Sequence, residues 1–113
     1  ICYNCHVDWE IKTYETARGE KPVDEFLKKL SPKTKARLTH LFDLLNTYGN
    51  MLRMPYSKRI DKNLYELRIR GIQEIRVFYC FRGRRIILLH AFRKQTQKTP
   101  RKEIEVALKR IDT

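Results

Sequence analysis

Three consecutive stretches between Leu64 and Phe92 limit the fold more than anything else in the chain. In LYELRIR, Tyr65, Leu67 and Ile69 fall on one side of an extended chain and Glu66, Arg68 and Arg70 on the other. Ile75, Val77, Tyr79 and Phe81 repeat the pattern, with Glu74, Arg76 and Phe78 opposite. A period of two is what a strand with two different faces requires. Arg82-Gly83-Arg84 then supplies a turn, and Ile86 to Phe92 is almost unbroken apolar sequence, the mark of a central strand covered for much of its length. The segment from Val7 to Tyr14 also alternates, placing Val7, Trp9 and Ile11 together.

Elsewhere the period lengthens. After Pro22, suited to a first helical position, Val23, Phe26, Leu27 and Leu30 follow at i, i+3, i+4 and i+7. Ser31-Pro32 restarts the pattern as N-cap and N1, and Leu38, Leu41, Phe42 and Leu45 mark a second helix that stops near Gly49. Met54-Pro55-Tyr56 reads as a loop carrying Lys58 and Arg59 toward the strands. Thr99-Pro100 opens a last helix with Ile104, Ala107, Leu108 and Ile111 on its core side. The expected fold is α+β, in the order β-α-α-β-β-β-α, with a mainly antiparallel sheet and the helices on one face.

Charge separates the two halves. Residues 1–52 hold 8 Lys/Arg against 7 Asp/Glu, whereas residues 53–113 hold 17 against 6, so the second half carries nearly all of the +12 excess. A polyanion is the natural partner of such a field, because each phosphate contact releases condensed counterions. The cations fall on strands and turns, not along one amphipathic helix, which argues against a membrane surface. No apolar run nears the roughly 18 residues that span a bilayer, and the start lacks a signal-peptide pattern, so a cytoplasmic protein is expected.

Arg68, Arg70 and Arg76 project from the sheet face opposite the core, His90 and Lys94 share a side of their strand, and Arg93 is adjacent. Lys58, Arg59 and Lys98 enter from flanking loops. Metal-dependent phosphodiester cleavage needs clustered carboxylates, and these strands offer only Glu66 and Glu74 among many cations. Metal-independent RNA cleavage fits better, since the 2′-hydroxyl is the nucleophile and the protein adds proton transfer and cations. Arginine suits the phosphate, and His90 supplies an imidazole, though a packed core histidine is the competing reading. Tyr65 and Tyr79 lie on the apolar side and are expected in the core. Phe78 and Phe92 are open between packing and base stacking. Taken alone, the basic face does not separate a nuclease from an RNA-binding module. All three apolar helix stripes are committed to packing, which leaves no reading helix for a DNA-binding repressor.

GEKPVDEFLKKL, NMLRMPYSKRIDKNLYELRI and EIRVFYCFRGRRIILLHAFRKQTQKTPRKEIEVALKR together resemble the RelE/HigB-like toxins of type II toxin-antitoxin systems, in their phage-derived branch. The resemblance runs from about Val7 to Arg110. It implies a small curved sheet with helices on one face and a cofactor-free toxin that cuts mRNA, usually on the ribosome. It also implies a cognate antitoxin, often a helix-turn-helix protein. Arg76 matches the arginine that stabilises the scissile phosphate, and Arg68 the basic position of the LYELR strand. Relatives carry a further lysine in that strand where Glu66 stands here. His90 or Arg93 is implied near the leaving 5′-oxygen, with Lys58, Lys94 and Lys98 on the RNA or ribosomal backbone. From the basic face itself Arg59, Arg70 and, by sharing the side of Arg76, Phe78 are expected as further RNA contacts. The alternative is a non-catalytic RNA- or ribosome-binding regulator of the same fold.

The opening ICYNCH has the Cys2-x-x-Cys5-His6 spacing of c-type haem attachment. A zinc site needs a fourth ligand, and neither His40 nor Cys80 has supporting spacing. Residues 1–6 are therefore expected to be an extension without haem or metal, ahead of a single toxin-like domain over 7–113.

Overall fold

Proline, serine and glycine set the element boundaries that the hydrophobic periods require. The computed structural model describes residues 9–71 and 74–111, so the ICYNCH motif and Val7 lie outside the described residues. Helix α1 spans Pro22–Lys28 and α2 spans Pro32–Tyr48. Ser31 caps α2, its Oγ accepting the Thr34 N–H at 3.2 Å. Gly49 ends it with φ of 52° and donates its N–H to the Leu45 carbonyl. A side chain there would be strained, and its Cβ would overlap the Trp9 indole. Asn46 donates to the Trp9 carbonyl, fixing the chain that leads into the first strand.

The strands are β1 (Glu10–Thr13), β2 (Ser57–Asp61), β3 (Leu64–Ile69), β4 (Ile75–Arg82) and β5 (Arg85–Arg93), and α3 is Arg101–Ile111. They form one sheet in the order β1-β5-β4-β3-β2. β1 pairs parallel with β5, Ile11 opposite Ile86, and the other three pairings are antiparallel. Gly83, with φ of 59°, lets a two-residue turn close the β4–β5 hairpin with Arg82 opposite Arg85.

The α+β class is as read, with two differences. First, Lys58 and Arg59 lie on β2, an edge strand where a loop was expected. Only Ser57 of its five residues is buried, so β2 carries almost no hydrophobic pattern to read. Second, the helices do not share one face. Leu38, Leu41 and Leu45 of α2 and Val23 of α1 pack on Leu67, Val77, Tyr79 and Leu88. Ala107 and Ile104 of α3 pack on the reverse face, against Leu64, Phe78, Cys80, Leu89 and Phe92. The near-continuous apolar run of β5 needs a cover on both sides, and α3 supplies the second.

Tyr65 and Tyr79 stack at 5.5 Å in the first core. The Tyr79 hydroxyl shares a hydrogen bond with Ser57 Oγ, and burial pushes its pKa up to about 12.

A β-bulge interrupts the β4–β5 ladder: Tyr79 faces Leu88 but Phe78 faces His90. Leu89 is the extra residue, and it sits with Phe78 in the core under α3. Beyond the bulge, His90 and Phe92 share the α3 side with Phe78, stacking on one another at 5.6 Å.

Candidate functional site

Register places Arg68 opposite Arg76 and Glu66 opposite Phe78 on the sheet face that α3 partly covers. Glu66 is the hub. Its Oε1 lies 3.3 Å from Arg68 Nε and 3.8 Å from Arg76 Nε, while Oε2 accepts the Thr99 hydroxyl at 2.8 Å. A buried carboxylate is sustained only by this density of opposite charge and hydrogen bonds. Arg76 donates through Nη2 to Glu74 Oε1 at 3.1 Å and through Nη1 to the Ile75 carbonyl at 3.3 Å. Its Nε makes no hydrogen bond, being within ion-pair but not hydrogen-bond range of Glu66. Arg76 is thus held between two carboxylates with 3% of its side chain exposed, whereas Glu74 is 41% exposed.

Lys94 joins this group where β5 ends, its backbone N–H bonded to the Glu74 carbonyl at 2.8 Å. Desolvation, with the Arg76 and Arg68 guanidiniums adding to it and Glu66 and Glu74 opposing, holds its amine below the ordinary lysine range. Such an amine gives up its proton more readily than a surface lysine.

Further along the same face, His90 Nε2 shares a 2.7 Å hydrogen bond with Glu103 Oε1 in the first turn of α3. The imidazole is 18% exposed and stacks on Phe92. It is neither a sealed core histidine nor a free one, because a carboxylate fixes its orientation.

The remaining residues divide by parity. Lys58, opposite Glu66 in register, lies on the Arg76 face and is exposed. Arg59, opposite Tyr65, lies on the other face, with Nε and Nη2 donating to the Asp61 and Lys62 carbonyls at 3.1 and 2.9 Å. Arg93 sits opposite Ile75, whose side chain is in the α1–α2 core, so it too is on the reverse face from Arg76. It lines a cavity with Lys29, Lys33 and Arg37 instead. Arg70 follows β3 and is exposed, its carbonyl accepting from Arg37 Nη1. Lys98 is exposed in the loop before α3. Phe78 is fully buried beneath α3 and offers no ring to a base.

Of the residues singled out by sequence, the structure brings together Arg68, Arg76 and Lys94, with His90 farther along their face. It separates Arg59 and Arg93 from them and seals Phe78. Sequence reasoning did not find Glu103, Thr99 or the buried state of Glu66. Only Glu103 left a local signal, as an acidic residue in a helix's first turn.

Among the described residues no group of three or more His, Cys, Asp or Glu is placed to hold a metal ion, and no helix is long and apolar enough to cross a membrane. The arrangement offers guanidinium charge, an amine held below the ordinary lysine range and a carboxylate-held imidazole on one face. A family model described as Phage derived protein Gp49-like (DUF891) matches residues 25–112, from within α1 to past the end of α3. No curated protein matches the chain.

Proposed function

The chain belongs to the Gp49-like family of phage-derived proteins, and from that premise we propose that it is the toxin of a type II toxin-antitoxin system. In this reading it is a metal-independent endoribonuclease that cuts mRNA on the ribosome, in the cytoplasm, and so stops translation and growth. A cognate antitoxin, of helix-turn-helix type, holds it inactive. The observation that carries the reading is the pair of opposed guanidiniums, Arg68 and Arg76, beside an amine that burial has made easier to deprotonate.

The chemistry follows from the RNA. Lys94 takes the proton of the 2′-hydroxyl, the 2′-oxygen bonds to phosphorus, and the bond from phosphorus to the 5′-oxygen breaks. His90, held by Glu103, gives the leaving oxygen its proton. The products are a 2′,3′-cyclic phosphate and a 5′-hydroxyl. Arg76 and Arg68 stabilise the charge that gathers on the phosphate oxygens. A phosphate reaching Arg76 displaces Glu74, the more exposed of its two carboxylate partners. Lys58 and Lys98 meet the flanking backbone.

The enclosure of Arg76 between Glu66 and Glu74 also favours a second reading, a non-catalytic RNA- or ribosome-binding regulator whose guanidinium is structural. Induced expression of the wild type and of Arg76→Ala in a bacterial host, with growth and transcript 5′ ends followed, separates the two. Growth arrest with new 5′-hydroxyl ends inside coding regions, absent in the variant, is the expected result. Arrest without new ends selects the regulator, and no arrest from folded protein overturns both.

A further inference from the structure

The described exposed large hydrophobic side chains, Tyr48, Met51, Met54 and Tyr56, all fall between positions 48 and 56, where α2 gives way to β2. Tyr56, partly exposed, lines a largely apolar cavity of about 460 Å³ between α2 and the end of β3. Leu41, Ile69 and Pro55 line it together with Arg37, His40, Arg68 and Arg70. The cavity exists because β2 leaves the sheet here: Arg68 N–H still bonds to the Tyr56 carbonyl at 2.8 Å, and past that point Pro55 and Met54 turn away.

Arg37 also lines the neighbouring cavity, of about 590 Å³, with Lys29, Lys33 and Arg93. Its guanidinium bonds to the Arg70 carbonyl and lies so close to Gly71 that a Cβ there would come within 2.6 Å of Nη1. The two cavities therefore meet at a fixed cation and form one groove along the first half of α2. Among the described residues neither lining contains a carboxylate. At the other end is Arg68, which lines the groove while its guanidinium bonds Met54 Sδ and Glu66 on the Arg76 side, so this residue stands at the boundary between the groove and the Arg76 cluster.

We infer that this groove binds the single-stranded RNA flanking the cut, with one nucleobase in the apolar cavity beside Tyr56 and the adjoining phosphates over Arg37, Lys33 and Arg93. This rests on the nuclease reading and adds a base-binding subsite to it. An apolar cavity with an aromatic side chain in its lining suits a base, and a lining rich in cations suits the phosphates on either side. Continuity through Arg68 makes the occupant of the cavity a neighbour of the nucleotide at Arg76.

The test is fluorescence anisotropy of the full chain with a short 2′-O-methyl oligoribonucleotide, which cannot be cleaved, across a salt series. Tyr56→Ala weakens binding about tenfold with the salt slope unchanged, as loss of one stacked base does. Tyr56→Phe binds as the wild type, which assigns the effect to the ring, and an unchanged thermal unfolding midpoint of Tyr56→Ala excludes a folding defect. Lys33→Gln lowers the slope by about 0.7, one single-strand phosphate contact. The inference is overturned if Tyr56→Ala binds as the wild type, if the wild type does not bind, or if duplex RNA binds equally well. It is also overturned if a glutamate-rich amphipathic peptide fills the cavity while RNA is indifferent to Tyr56. Cleavage lost in Arg76→Ala with Tyr56 silent removes the subsite and leaves the nuclease. Tyr56-dependent binding by a protein that cuts nothing keeps the subsite and removes the nuclease.

Discussion

Glu66 Oε1 lies 3.8 Å from Arg76 Nε, and the two side chains keep 1% and 3% of their surface in contact with water. The same carboxylate serves Arg68 and is tied by Thr99 to the segment that enters α3. Removing it leaves two guanidiniums opposed across β3 and β4 with Glu74 alone between them and solvent.

Glu66→Ala is therefore expected to destabilise the fold by about 3–5 kcal/mol, the usual cost of breaking a buried pair from one side. Urea unfolding measures it. A loss below about 1 kcal/mol would mean that Glu66 does not hold the arginines in place.

Parity sets His90 and Arg93 apart. On the proposed mechanism, His90→Ala lowers single-turnover cleavage by about 10²–10⁴-fold and leaves RNA affinity intact, as loss of an acid-base group does. Arg93→Ala, on the opposite face, leaves the rate of bound RNA unchanged and weakens binding in a salt-dependent way. The reverse pattern would place Arg93 in the chemistry.

On the proposed mechanism Lys94 acts as a base only when unprotonated, so cleavage is expected to rise with pH and level off above a pKa lower than that of an ordinary lysine. In Lys94→Arg, which stays charged, that rise disappears. Stability follows the same group. Between the lowered folded value and the ordinary unfolded one, the unfolded chain binds more protons, so Lys94 makes stability climb with pH across that window. A pH-rate profile and unfolding curves on both proteins check the two statements.

Phe78→Ala is expected to cost about 3–5 kcal/mol, because it opens a cavity between Cys80, Leu89 and Ala107. Thermal unfolding tests this. The protein that remains folded binds the uncleavable oligoribonucleotide as the wild type does, whereas a stacking role would show as weaker binding at unchanged stability.

Much of this architecture is written in local sequence. Ser31-Pro32 and Gly49 bound α2 through capping chemistry, and Tyr65 and Tyr79 announce the first core by alternation. β2 is not legible, because an exposed edge strand needs no apolar period. The side on which α3 docks is not legible from its own stripe, since an amphipathic helix fits either face of a sheet. A clue lay in β4 and β5, where Phe78, Cys80, Leu89 and Phe92 make the supposed outer face apolar. The site was half visible. Alternation alone separates Arg93 from Lys94 and Arg68 from Ile69, but the enclosure of Arg76 by Glu66 and Glu74 and the Glu103 contact depend on tertiary placement.

Leu89, the unpaired residue of β5, shifts the strand's phase. Were the ladder regular from the Gly83 turn onward, His90, Phe92 and Lys94 would turn toward α1 and α2, and Ala91 and Arg93 would take their places beside Arg76. The composition of the site is therefore set by where one residue is skipped. A substitution that let the bulge migrate to the strand's end would exchange an imidazole and an amine for a methyl group and a guanidinium, with every residue of the original site still present in the chain.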